Sequence, residues 1–355
     1  MILLRNHPVT FASDLPSGWT ICEPEERDAG ELNALVRLHE KWSRGWASAS
    51  TDDVRVEIST RSASIRHNAV LCDSAGAARG WASAHDRAAG RMLLSMIVDP
   101  RLDDSLADRA AEVLFEWGDQ AASTVGSGRE LAIQQIDTGA FADDSRQLRW
   151  LAKAGFRLVR TWWQMNRPVR PEDGDAPEPR PGVRIRRVER AGSGMPDEDD
   201  LRVVHDILED AFADHFNSHT ETFDEFLVRL REDPGHRWDH WWLAELVTGA
   251  GPEPVGALVG TVSGGGDGDG EGYDTATPAS SYVAYIGVLG SARGRGVAKS
   301  LLSTVIADAA RRGRSGVGLE VDADSPTGAD ALYLSMGWET SYVTQSWHRD
   351  VPVPS

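Results

Sequence analysis

Three things are scarce in this chain of 355 residues: cysteine, long apolar runs and positive charge. The 2 cysteines, Cys22 and Cys72, form no CxxC pair and have no neighbouring His pair. Neither a disulfide framework nor a thiolate metal site is expected, and both residues read as reduced thiols of a cytoplasmic protein. No stretch approaches the roughly 20 apolar residues of a membrane span, and Met1–Pro8 lacks the apolar run of a signal peptide. Lys and Arg number 37 against 55 Asp and Glu, a net charge of −18. So acidic a chain repels phosphate backbones at long range, which argues against nucleic acid as a partner and favours a small cation. The length suits about two domains at roughly 150 residues each.

The pattern along the chain agrees. Residues 1–17 read as an N-terminal extension, 18–168 as a first domain, 169–182 as a stiff Pro-rich linker and 183–355 as a second domain. The two domains look like distant copies. Gly155-Phe156 precedes a strand-like run ending at Arg167, and Gly337-Trp338 precedes one ending at Arg349; both pairs stand 182 positions apart. A repeat this long implies two related domains. In the second, Trp241–Val247 and Val255–Val262 read as a strand hairpin, Tyr282–Val288 and Val317–Val321 as further strands, and Ala329–Met336 as a short helix. Leu201, Val204, Leu208, Ala211 and Phe212 form one helical stripe, and Val297, Leu301, Leu302, Val305, Ile306 and Ala309 a second that closes at Arg311, Arg312 and Gly313. Ser263–Gly272 reads as a flexible Gly/Asp-rich loop without EF-hand spacing. The mix is α/β.

The sharpest signal is Val288-Leu-Gly-Ser-Ala-Arg293-Gly294-Arg295-Gly296-Val297-Ala298-Lys299. A strand ends, glycines follow and a long amphipathic helix begins, so unpaired N–H groups at its positive end suit a pyrophosphate. From Gly290 to Arg314 there are six cationic side chains and only Asp308 opposes them, against the trend of the whole chain. A P-loop is excluded because Arg293 and Ala298 stand where its glycines belong, and the GxGxxG spacing fails as well.

Arg293-x-x-Gly296-x-Ala298 after a strand resembles the acetyl-CoA signature [RQ]xxGx[GA] of the GNAT acyltransferases. Leu319–Trp338 resembles the family's next block, with Ser325 in place of the usual Asn and Trp338 in place of Phe. The resemblance spans Tyr282–Trp338, and the tandem layout is similar to that of mycothiol synthase. It implies two tandem GNAT-like domains, each a mixed, mostly antiparallel sheet flanked by helices, and direct acetyl transfer from acetyl-CoA to a small, cationic primary amine such as an aminosugar. Acetylation of a cysteinyl amine and a non-catalytic acyl-CoA sensor are the alternatives. The cofactor contacts it implies are Ile286, Val288, Arg293, Gly294, Arg295, Gly296, Val297, Ala298, Lys299 and Ser325, with backbone N–H groups at Ile286–Val288 serving the oxyanion.

Tyr333 matches the family's general acid. Glu320, alternating with Leu319 and Val321, is the candidate base, with a water chain as the alternative and Glu245 as a further candidate. Asp210, Asp214, His215, His219, Glu221, Asp224 and Glu225, with Trp238, Trp241 and Trp242, suit a polyhydroxylated cation; Asp214, Trp242 and Glu245 are the principal substrate candidates. No histidine has paired-ligand spacing, so no metal is expected. Monomer and homodimer are both open. In the first domain, Arg101–Asp108 occupies the place of the glycine-rich turn with three acidic side chains and no glycine, so that domain is expected to be degenerate for acetyl-CoA.

Overall fold

A computed structural model describes residues 15–59, 65–87, 90–190, 195–213, 221–232, 235–263, 279–325 and 328–353. The Gly/Asp-rich loop beyond Ser263, and Asp214, His215 and His219, lie outside them. Contacts divide the chain into two compact units. One runs to Trp162 and resumes at Tyr342; the other is Trp163–Ser341.

The first unit contains β1 (Thr20–Cys22), α1 (Ala29–Arg44), α2 (Thr51–Ile58), β2 (Arg66–Cys72), β3 (Ala78–Arg87), β4 (Arg91–Val98), α3 (Asp104–Gly128), β5 (Ile133–Phe141) and α4 (Ser145–Lys153). Its strands lie in the order β1-β2-β3-β4-β5, antiparallel except for β4 with β5. Alternation decides the faces: Met92, Leu94, Met96 and Val98 of β4 are buried in the cluster that includes Ala107, Ala110 and Leu114 of α3. On the other face α1 and α2 bury Leu32, Leu35, Val54 and Ile58 with Val70 and Trp81. Pairing of β1 with β2 brings the two cysteine sulfurs to 3.9 Å as free thiols in hydrogen-bond contact, with no disulfide between them.

The second unit contains β7 (Val183–Arg187), α5 (Glu198–Phe212), α6 (Phe223–Glu232), β8 (His236–Thr248), β9 (Gly251–Ser263), β10 (Ser280–Val288), α7 (Val297–Arg311), β11 (Gly316–Asp322) and α8 (Ala329–Ser335). Its order is β11-β10-β9-β8-β7, antiparallel except for β10 with β11. The stripe of α7 packs with Val255, Leu258, Val283, Val317 and Leu319 on one face. Leu201, Val204 and Leu208 of α5 pack with Trp241, Leu243 and Val259 on the other.

The closing strands depart from the expected boundaries. In β12 (Glu339–Pro352), Thr344–Pro352 pair antiparallel with Phe141–Ile133 and so complete the first unit. The later residues of β6 (Arg157–Pro168) adjoin β11 in the second. The repeated arginines report the same exchange. Arg349 Nη1 donates to Ala154 O at 2.7 Å, and Arg167 Nε donates to Met336 O at 2.8 Å. Ala154 and Met336 are the C-caps of α4 and α8, where a cation meets the negative end of the helix. Each arginine therefore caps the helix of the other half.

The stiff Pro-rich segment is docked as a strap. Asp173 accepts from both Nη atoms of Arg167, at 3.0 and 2.8 Å, and Arg311 Nη1 of α7 donates to Gly174 O at 2.7 Å. Proline stiffness and these ion-pair and carbonyl contacts hold it along α7.

Candidate functional site

The second unit opens a gap in its sheet beside the start of α7. The parallel register of β10 with β11 spans Ser281↔Val317, Tyr282↔Gly318 and Val283↔Leu319. The next residues of β10 carry a register irregularity against β9 between Val283 and Tyr285, after which β10 continues along β9 to Val288. Glu320 on one strand and Ala284–Tyr285 on the other thus stand just past the last parallel pair.

After Val288 the chain makes a short turn into α7. Gly294 and Gly296 have φ of 76° and 82°, a left-handed conformation that glycine adopts without strain. Gly296 is the N-cap of α7 and supplies no side-chain acceptor, so the first-turn N–H groups of Val297, Ala298 and Lys299 keep the capacity to bind an anion. Arg293, Arg295 and Lys299 are exposed around them, and Val297 is buried as an anchor. This arrangement fits a pyrophosphate: donors, cations and a position where an added Cβ would intrude.

The site also includes a residue that sequence reading missed. Arg180, from the docked Pro-rich strap, donates from Nη1 to Gly294 O at 3.1 Å. Its Cδ and Nε lie 3.0 and 3.1 Å from where a Cβ on Gly296 would stand. A fourth guanidinium or ammonium group therefore covers the turn from a segment some hundred residues away in sequence. The only signal in the sequence was an arginine in a Pro-rich run, which carries no positional information.

One face of the sheet collects several of the expected residues. Ile286, Val288 and Tyr333 all belong to the cluster built around α7. Tyr333 on α8 is 7% exposed, 6.0 Å from the ring of Trp338, and burial pushes its hydroxyl up to about 12. It is protonated, and so a donor, throughout the neutral range. Ser325 lies in the turn after β11, its N–H donating to Asp322 O at 3.1 Å.

Glu320 projects to the opposite face from the buried Leu319 and Val321, is exposed, and accepts from Gln164 Nε2 of β6. That face also carries Tyr285, whose hydroxyl meets Arg229 of α6, itself paired through Nε and Nη2 with Glu221 at 2.8 and 2.7 Å. Burial pulls the Arg229 guanidinium down, but Glu221 and Tyr285 outweigh it and hold it above its ordinary value. Neither Arg229 nor Tyr285 stood out in the sequence, because each is an ordinary residue of an amphipathic element.

Other expected substrate residues are placed elsewhere. Glu245 is buried and accepts from Arg184 Nε and Arg186 Nε, both at 2.7 Å, while Arg186 also grips Asp200 through both Nη atoms. Its charge is spent in an ion-pair network joining β7, β8 and α5, which removes it as a base or amine ligand. Trp242 is 3% exposed within the α7 cluster and Trp241 fully buried on the α5 face, so both are core residues. Glu225 accepts from Thr222 N–H at 2.9 Å and serves as a helix cap. Asp210 and Asp224 are exposed, and Trp238 packs against the α5 cluster. Among the described residues no group of three or more His, Cys, Asp or Glu is placed to hold a metal, and no helix is long and apolar enough to cross a membrane.

The corresponding turn of the first unit is closed. Asp103 caps α3 by accepting from Leu106 N–H at 3.0 Å, and Asp104 follows in the first turn. Burial pushes the Asp99 carboxyl up, but hydrogen bonds from Arg101 and Arg79 outweigh it and hold the group below the usual carboxylate range. Arg79 and Arg101 are paired with Asp99, and the Leu106 amide of the first turn is met by the Asp103 carboxylate.

Residues 202–338 match the model of the acetyltransferase (GNAT) family. No curated protein sequence matches the chain. Among solved structures, the fold is similar to a GCN5-related N-acetyltransferase from Sphaerobacter thermophilus, with a TM-score of 0.74 and 23% identity over 96% of this chain and 98% of that one. It is also similar to a tandem GNAT protein from the clavulanic acid biosynthesis pathway, with a TM-score of 0.68 and 15% identity over 95% and 99% of the two chains. A glucosamine N-acetyltransferase region of a fungal multi-domain β-N-acetylglucosaminidase gives a TM-score of 0.63 at 12% identity, over 95% of this chain and 38% of that one.

Proposed function

We propose, from the match of residues 202–338 to the acetyltransferase (GNAT) family model, that the protein transfers an acetyl group from acetyl-CoA to a small, cationic primary amine. The observation that supports this reading is the uncapped start of α7, with Gly296 left-handed and Arg180, Arg293, Arg295 and Lys299 around it. The first-turn N–H groups and these four side chains would hold the pyrophosphate. The thioester supplies the activated acetyl carbon.

Direct transfer needs a neutral amine, donors for the oxyanion and a donor for the departing sulfur. Backbone groups of Ile286–Val288, next to the gap between β10 and β11, are the oxyanion donors in this reading. Tyr333 lies on the same face and donates its hydroxyl to the sulfur. Glu320, at the lip of the gap on the amine side, receives the ammonium proton directly or through water. Tyr285, Arg229 and Glu221 would form the amine-side wall. An aminosugar acceptor is supported by the overall acidity of the chain and by the neighbour with a glucosamine N-acetyltransferase region.

The test is calorimetric titration with acetyl-CoA followed by an amine panel headed by glucosamine. One binding site per chain and release of free CoA thiol with a cationic amine are expected. Absence of acetyl-CoA binding in the folded protein overturns the reading, and binding without turnover on any amine, a cysteinyl amine included, favours a sensor.

A further inference from the structure

The first unit contains a cavity that acyl transfer does not use. It measures about 240 Å³ and lies between α1, α2 and the sheet, lined by Val36, Val54, Trp81, Ile97, Ser83 and Ser95, with Asp53 and Glu57 at its polar side. Ser95 is its clearest marker. β4 is an interior strand of the sheet, yet Ser95 is exposed on the face that α1 and α2 cover, so the helices leave the strand bare there. The parallel register of β4 with β5 includes Leu94↔Thr138 as its last pair, so Ser95 is also the first residue past it. Ser83 stands directly opposite Ser95, is 4% exposed, and donates to Glu57 Oε2 at 2.9 Å. Trp81 donates its Nε1 to Asn68 Oδ1 at 3.0 Å, so the polar edge of the indole is already satisfied within the protein.

We propose that this cavity binds a small organic ammonium compound. Its lining has two carboxylates and no Lys or Arg. Arg66 approaches Glu57 at 3.4 Å and offsets part of its charge, and Asp53 caps α2 by accepting from Ser50 N–H and Oγ at 2.7 and 2.8 Å; two carboxylates against one guanidinium leave the site net negative. Anions are therefore rejected. The volume is below the roughly 300–1,000 Å³ of drug-sized sites, so the cavity takes a compact cation and not a nucleotide thioester. Valine, isoleucine and indole surfaces receive the carbon body of a quaternary or a protonated ammonium alike, and the serine hydroxyls accept from the N–H groups of a protonated one. The inference concerns the first unit alone and does not depend on acyl transfer by the second.

The test uses the full chain, with choline and cyclohexylammonium as probes and 3,3-dimethylbutan-1-ol and cyclohexanol as their uncharged counterparts. Calorimetry is expected to show the cations binding about tenfold or more tightly than the alcohols, since only they gain from the carboxylates. Glu57→Gln is expected to remove most of that preference, and Ser95→Leu, at an exposed position, to block both classes by filling the floor. Melting curves establish that each variant is folded. Equal binding of cations and alcohols, binding that survives both variants, or no cation binding to the folded protein would each overturn the proposal.

Discussion

Helices α3 and α7 occupy the same place in their units, each following the strand that pairs in parallel with its neighbour, and each drives an apolar stripe into the sheet. Their first turns are built from opposite chemistry. At α3 a carboxylate caps the helix and a second carboxylate, Asp99, absorbs the nearby arginines. At α7 a left-handed glycine leaves the amides uncapped, and cations stand exposed around them. The stripe makes the fold, and a handful of residues in the preceding turn decide whether the helix end can serve a ligand. One architecture can therefore keep its core while losing or gaining an anion site.

The largest expected effect comes from making α7 resemble α3. Gly296→Asp would introduce a capping carboxylate at a left-handed position that Asp tolerates better than most residues, and acetyl-CoA affinity is expected to fall about 100-fold or more. Titration of the folded variant with acetyl-CoA checks it; unchanged affinity would mean that the turn does not hold the pyrophosphate. Next, Tyr333→Phe is expected to lower kcat about 100-fold with acetyl-CoA binding kept, as loss of a proton donor requires. A matching loss of binding in the same titration would assign Tyr333 to packing instead.

Two smaller effects sharpen the contrast. Asp103→Ala should cost about 1 kcal/mol of stability in urea unfolding, the usual cost of a lost cap, without creating a second acetyl-CoA site. A second equivalent of bound acetyl-CoA would show that the cap alone had closed the first unit. Arg180→Ala should weaken acetyl-CoA only about three- to tenfold, because an exposed cation contributes modestly, and the difference should shrink as salt is raised. A salt-independent loss would point to a packing role for the strap.

Much of this contrast could be read from sequence, because it resides in local chemistry. The helical stripe from Val297 to Ala309, the closing Gly313, and the acidic turn before α3 all follow from periodicity and composition within a few residues. What could not be read depends on register across distance. Glu245 falls opposite Arg184 on β7, and that pairing alone turns an apparent substrate carboxylate into a buried ion pair. Trp241 and Trp242 of β8 alternate between two covered faces, which leaves neither indole as a stacking surface for a substrate. Arg167 and Arg349 were visible as repeats, but nothing in either segment says that each would cap the helix of the other half.

That reciprocal placement bears on how the chain is made. The ribosome finishes residues 1–162 long before it reaches Thr344–Pro352, the segment that pairs with β5. The first unit to be synthesised is therefore the last whose sheet can be completed, and during elongation it must wait with β5 lacking that partner. Cutting the gene at the Pro-rich segment would yield two fragments that each carry the other's closing strand, so neither product is a self-sufficient domain.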